Sequence, residues 1–193
     1  MRRLTNLCLG LLVTATLPIS AGAQTRPIEL GIDGAVTWTR SGLLPEGDRT
    51  WRTSVDMPAA NFRIGFLTAD RRWSVEPNFA FHRFSAGEAD ISQLQVDLGL
   101  LYHFAIATAR DPGKPQPYLR PFLGFERTSF EAEGDADASD SRARFGVGLG
   151  VKLPMIDRLS ARLEGRYIHT SEADAISAAD GFALGFGLSF FTR

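Results

Sequence analysis

Phe145, Val147, Leu149, Val151 and Leu153 alternate with Gly146, Gly148, Gly150 and Lys152, and Arg144 stands just ahead of them. Successive side chains on a β-strand point to opposite sides, so this stretch has one bulky apolar face and one face that is either tiny or charged. A helix would scatter the two sets, because its neighbours lie three and four positions apart. The same two-residue period returns along most of the chain. Ile28, Leu30, Ile32, Val36 and Trp38 oppose Glu29, Gly31, Asp33, Ala35 and Thr37. Phe62, Ile64 and Phe66 oppose Arg63 and Gly65, and Trp73, Val75, Pro77, Phe79 and Phe81 oppose Ser74, Glu76, Asn78, Ala80 and His82.

Further on, Leu94, Val96, Leu98, Leu100, Tyr102 and Phe104 oppose Gln95, Asp97, Gly99 and His103. Leu119, Leu123 and Phe125 oppose Arg120, Gly124 and Glu126, although Tyr118 and Phe122 fall on the polar side. Leu159, Ala161, Leu163 and Tyr167 oppose Ser160, Arg162, Glu164 and Arg166. The last segment is the cleanest, with Phe182, Leu184, Phe186, Leu188 and Phe190 against Ala183, Gly185, Gly187 and Ser189. This makes about eight segments, an even number of the kind bacterial single-chain barrels use.

Short turns are expected at residues 68–71 and 154–158, and longer polar connections after the first, third, fifth and seventh segments. The acidic tract 131–140 has no large apolar residue and reads as a solvated loop. Residues 109–115, rich in Pro and Gly, break both strand and helix. Pro77 is awkward within a strand, because proline cannot donate to the ladder and belongs at an edge or a bulge. The alternation of long and short connections predicts an up-and-down meander with both termini on the periplasmic side.

Side-chain size decides which face looks inward. The interior of an eight-stranded barrel is just wide enough for side chains to fill. The face of Gly31, Gly65, Gly99, Gly146, Gly148, Gly150, Gly185 and Gly187 fits that space, whereas the Phe, Trp, Leu and Val face would overfill it. The bulky face therefore points out, where only lipid accepts it. Trp38, Trp73, Tyr102, Phe104, Tyr167 and Phe190, near segment ends, suit interfacial girdles. Glu29, Asp33, Glu76, Asp97 and Glu164 then share the lumen with Arg63, Arg120, Arg144, Lys152, Arg162 and Arg166. A near-balanced set can neutralise itself in a hydrogen-bonded network. Such a network reads as a structural plug, with a gate or narrow solute pore as the alternative.

Met1-Arg2-Arg3, an apolar stretch from Leu7 to Leu17 and Ala21-Gly22-Ala23 form the charged, apolar and A-x-A cleavage parts of a secretory signal peptide. The expected organisation is a signal peptide at 1–23 and an outer-membrane barrel domain at 24–193. Cys8 falls in the signal, leaving the mature part without cysteine, so closed hydrogen bonding must take the place of disulfides. No apolar run of about 18 residues follows residue 23, so helical spans are excluded. Loss of Arg2 and Arg3 takes the net charge from −1 to −3. No basic field for nucleic acid remains.

Glu29-Leu30-Gly31-Ile32-Asp33, Arg63-Ile64-Gly65-Phe66, Ser74-Val75-Glu76-Pro77, Gly99-Leu100-Leu101-Tyr102-His103-Phe104 and Tyr118-Leu119-Arg120-Pro121 together resemble the small bacterial outer-membrane β-barrel proteins, the OmpA/OmpX-like group. The resemblance implies an all-β, eight-stranded antiparallel transmembrane barrel in the bacterial outer membrane. Its partners would be outer-membrane lipid and the barrel assembly machinery, which reads the C-terminal strand. That strand usually ends in an aromatic residue, whereas here Phe190 and Phe191 are followed by Thr192-Arg193. A monomer without cofactor is expected.

His82, His103 and His169 show no metal-type spacing, so no metal site is expected. His82 and His103 read as members of the polar network. His169-Thr170-Ser171 resembles the His-x-Ser of the lipid A 3-O-deacylase barrels. That resemblance implies Ser171 as nucleophile, His169 as its base and an acid to orient the imidazole. The deacylases place a glutamate on the following strand, where this chain has Phe182, Ala183 and Leu184, leaving Asp174 or Asp180 as the nearest acids. The principal expectation is a noncatalytic barrel with structural or surface-interaction duties, exposing residues 41–49 and 131–140.

Overall fold

The computed structural model describes residues 27–41, 50–86, 89–105, 114–132, 138–172 and 178–192. The expected signal peptide at 1–23 lies outside them, as do Asp174, most of the loop at 41–49 and the centre of the acidic tract. Eight strands follow in order: β1 (Ile28–Ser41), β2 (Thr50–Leu67), β3 (Trp73–Ala86), β4 (Ala89–His103), β5 (Gln116–Ala132), β6 (Ala138–Ile156), β7 (Leu159–Thr170) and β8 (Ala179–Phe191). Each pairs antiparallel with the next, and β1 pairs with β8 to close the barrel. Closure leaves no sheet edge, the condition for a strand to cross lipid. Thr192 fastens the seam, its hydroxyl accepting from the Ile28 N–H at 3.0 Å and its N–H donating to the Ile28 carbonyl at 2.8 Å.

The outward face is the bulky one. Leu98, Phe125, Leu149, Phe182 and Phe186 are exposed on the outside, while Glu29, Arg63, Glu76, Arg120 and Lys152 are buried within. Trp73, Tyr102 and Phe104 form a row of tilted and edge-to-face rings near the end that carries the termini, with centroids 4.8 and 5.3 Å apart. Tyr167 and Phe182 meet as tilted rings 5.5 Å apart toward the opposite end, which is called upper below.

Three expectations about the connections need correction. The acidic tract is not one loop: β5 continues through Glu131 and Ala132, β6 begins at Ala138, and Thr128 pairs with Asp140. Ladder pairing needs only backbone groups, so a strand rising past the apolar belt can be polar on both faces. The connection after the third segment is not long, since β3 ends at Ala86 and β4 starts at Ala89. The turn expected at 154–158 shrinks to Asp157 and Arg158, because β6 runs to Ile156 with a register shift between Pro154 and Ile156.

Pro77 finds its place without an edge. The β2–β3 ladder runs Arg63↔Asn78 and then Phe66↔Val75, skipping the positions opposite Pro77 and Glu76. The β4–β5 ladder likewise jumps from Gly99↔Phe122 to Tyr102↔Leu119, passing over Pro121. In each case the missing N–H falls in a gap of one ladder, while the other side of the strand remains paired.

Candidate functional site

The lower lumen is crossed by a compact ionic network. Inward positions on β1, β2, β3, β5, β6 and β7 bring Glu29, Arg63, Glu76, Arg120, Lys152, Arg162 and Glu164 into one layer. Arg63 donates to Glu29 at 2.5 Å, Asp33 at 2.7 Å and the Ser189 hydroxyl at 2.6 Å. Lys152 joins Glu29 at 2.6 Å to Glu76 at 3.2 Å. Arg162 reaches Glu76 at 2.8 Å and pairs with Glu164, and Arg120 meets Glu164 at 3.3 Å. Tyr118, fully buried, donates to Glu164 at 2.5 Å and accepts from Arg162 Nε at 2.6 Å. Its ring lies under the Arg162 guanidinium at 4.8 Å and near Lys152 Nζ at 5.6 Å.

Glycine makes room for these spans. A Cβ on Gly31 would sit 2.6 Å from Arg63 Nε, and one on Gly150 would run into the Tyr118 phenol. The small face is thus the mould for long side chains reaching across from other strands.

The upper lumen is looser. Arg142 pairs with Glu126, which also accepts from Gln95 at 3.2 Å. Arg144 lies 3.8 Å from Asp97 and 3.9 Å from Glu126, and Arg166 Nε lies 3.5 Å from Glu164. A cavity of about 230 Å3 opens above them, walled by Thr37, Asn61, Asn78, Gln95 and Thr170 among others.

On the outer surface near the top, register partners His169 and Asp180 meet, with Nδ1 2.9 Å from Oδ1. The Tyr167 hydroxyl donates to the same carboxylate oxygen at 2.6 Å, and the imidazole stacks on Phe145 at 4.8 Å. The acid for His169 is therefore Asp180, supplied by strand pairing. The Ser171 hydroxyl accepts from the Ala143 N–H at 3.0 Å. No hydrogen bond joins it to His169 among the described residues.

All the charged residues read as a lumen network are on the inner face, but they divide into two groups. Glu29, Asp33, Glu76, Arg120, Lys152, Arg162 and Glu164 knit together below, whereas Asp97 and Arg144 belong to the upper group and Arg166 bridges the two. Sequence reasoning put Tyr118, Glu126 and Ser189 on the polar face without counting them in the network, and passed over Arg142. Tyr118 had carried a signal, as an aromatic out of phase on the polar face. His103 is buried at the lower rim with Nδ1 3.3 Å from the Arg72 carbonyl, and His82 is half-buried. Among the described residues no three His, Cys, Asp or Glu side chains gather as a metal-ligand set.

The family described as outer membrane protein beta-barrel domain matches residues 9–190. No curated protein sequence matches significantly. Among solved structures, Neisserial surface protein A superimposes with a TM-score of 0.63 at 16% identity, over 84% of this chain and 96% of that one. The solid-state NMR structure of the outer membrane protein AlkL gives 0.52 at 12% identity, over 92% and 95%. Ail, the attachment invasion locus protein of Yersinia pestis, gives 0.50 at 16%, over 86% and 99%. At these identities the likeness is one of fold.

Proposed function

This chain belongs to the outer membrane β-barrel family and resides in the bacterial outer membrane, and on that premise we propose that it is a noncatalytic, non-conducting barrel with a structural or surface-interaction role. The observation that carries this reading is the lower plug. Arg63, Glu76, Arg120, Tyr118 and Lys152 are almost wholly buried and bonded across the lumen. An ion passing through would have to displace charge pairs that compensate one another in a low dielectric. The refolded chain in a planar bilayer is expected to give no discrete conductance steps, and regular openings would overturn the sealed reading.

Lipid is the proposed partner of the outward apolar face. The assembly machinery is the proposed reader of β8, whose Phe182, Phe186 and Phe190 all face out. The proposed state is a monomer, a reading supported by an apolar band spread around the circumference rather than gathered into one patch.

A second reading, a lipid A-type esterase, is favoured by the 2.9 Å contact between His169 and Asp180 on the lipid-facing side. In it the Ser171 hydroxyl would turn its proton to the imidazole and attack an ester carbonyl as His169 takes that proton. The ester C–O bond breaks, His169 returns the proton to the leaving alkoxide of the sugar, and water activated by His169 then frees the fatty acid from Ser171. Asp180 would hold the imidazole and stabilise its charged form. Mass spectrometry of lipid A incubated with the wild-type chain and with Ser171→Ala separates the two readings. Fatty acid released by the wild type alone supports the esterase, and no release by either removes it.

A further inference from the structure

The upper lumen is built unlike the plug beneath it. Its cavity of about 230 Å3 far exceeds the roughly 10–15 Å3 that a single water requires. Arg144, only 6% exposed, borders it, yet Nε and Nη1 of that guanidinium have no hydrogen-bond acceptor in the described protein. Asp97 and Glu126 stand 3.8 and 3.9 Å away, beyond hydrogen-bond reach. Glu126 is already engaged by Arg142 and Gln95. Nε of Arg166 is likewise unmatched, and so is an acceptor on the same wall, Oδ1 of Asn78.

Leaving buried donors and acceptors unmatched costs stability, and the cost is greater for a charged group. Those atoms are themselves closed off from the cavity, but three guanidinium side chains, Arg142, Arg144 and Arg166, line it against one carboxylate, Glu126. Most of the remaining wall is amide and hydroxyl, so the space has room and chemistry for a molecule that offers both acceptors and donors. The forked N–H groups of arginine match the paired oxygens of a phosphate, sulfate or carboxylate.

We propose that the upper lumen is a binding cup for a small soluble molecule carrying an oxyanion and hydroxyl groups. The oxyanion sits against Arg144 and Arg166. The hydroxyls exchange hydrogen bonds with the amides and hydroxyls of the wall, among them Thr37, Asn61, Gln95 and Thr170. The inference rests on the sealed plug proposed above, which closes the site toward the end that carries the termini. Arg142, held by Glu126, forms part of the wall rather than the anion seat.

The test is calorimetric titration of the refolded full chain, in phosphate-free detergent, with inorganic phosphate, glucose 6-phosphate and glucose. Glucose 6-phosphate is expected to bind saturably and more tightly than phosphate, with glucose weakest. Arg144→Gln should weaken glucose 6-phosphate by about tenfold or more, with Arg144→Lys in between because a point charge keeps attraction but loses the fork. Heat-modified gel mobility identifies variants that retain the barrel. No binding by any of the three probes, or unchanged binding in a folded Arg144→Gln, overturns the cup. Conductance of the same preparations separates the two proposals. Silent bilayers without binding remove the cup alone, whereas discrete openings remove the sealed floor beneath it.

Discussion

The lower and upper halves of one lumen solve the same problem differently. Below, every carboxylate of Glu29, Glu76 and Glu164 meets a cation within 3.3 Å, and Tyr118 fills the space between. Above, Arg144 is nearly as buried but finds its nearest carboxylate only at 3.8 Å, and open volume replaces the phenol. Both layers sit inside the same strands, so the difference lies in the side chains reaching inward. Short, mutually compensating contacts make a floor, and loosely matched groups around a cavity make a receptacle.

The sharpest way to break this contrast is to remove one floor charge. Glu76→Ala takes one of two carboxylate partners from each of Lys152 and Arg162, leaving the buried layer with excess positive charge, and should lower stability by about 3–5 kcal/mol, read as a drop in urea midpoint for the barrel refolded in lipid. Gly150→Val, which forces the Tyr118 ring aside, should cost about 1–3 kcal/mol by overpacking in the same assay. In the upper half, Glu126→Gln should cost less, about 1–2 kcal/mol, since Arg142 loses its paired charge but is partly exposed and the amide oxygen still accepts a hydrogen bond. It should also tighten glucose 6-phosphate binding by lifting a competing negative charge. Equal losses for Glu76→Ala and Glu126→Gln would show that the two halves do not differ as described.

The smallest effect lies outside the lumen. In the turn after β2, Asp70 accepts hydrogen bonds from the Thr68 hydroxyl and the Arg72 N–H, which hold its carboxyl below the usual range. A folded-state value below the unfolded one makes the contribution present above the ordinary carboxylate range and lost as pH falls through the folded value. Amide exchange at Arg72 should therefore show weaker protection in acid. Asp70→Asn should flatten that dependence, leaving both halves of the lumen unchanged.

The strand phases were legible because a period of two is written in each segment alone and needs no knowledge of partners. The inside-out choice was legible for a similar reason, since glycine opposite phenylalanine leaves one face that fits a narrow lumen. Strand ends were not. Glu131, Ala132 and Ala138 through Asp140 extend strands beyond the apolar belt, where both faces are polar and composition carries no phase. Tyr118 looked misplaced on the polar face because its reason lies across the barrel, in Gly150, Arg162 and Glu164. The division of the charges into floor and cup depends on how β-strands stagger, which no single segment records. The Asp180 partner of His169 was among the nearest acids in sequence, but only the β7–β8 register brings the two opposite each other.

The plug also ties burial to closure. Lys152 is separated from Glu29 by 123 residues, and Arg63 from Ser189 by 126. The first pair joins β1 to β6, and the second joins β2 to β8, so neither is local to a hairpin. While the strands form an open trough, these charges remain wet and cost nothing to carry. Their burial requires the closed wall, in which β8 lies beside β1 and Thr192 bonds to Ile28. Closing the wall and drying these charges are thus coupled through the β1–β8 seam.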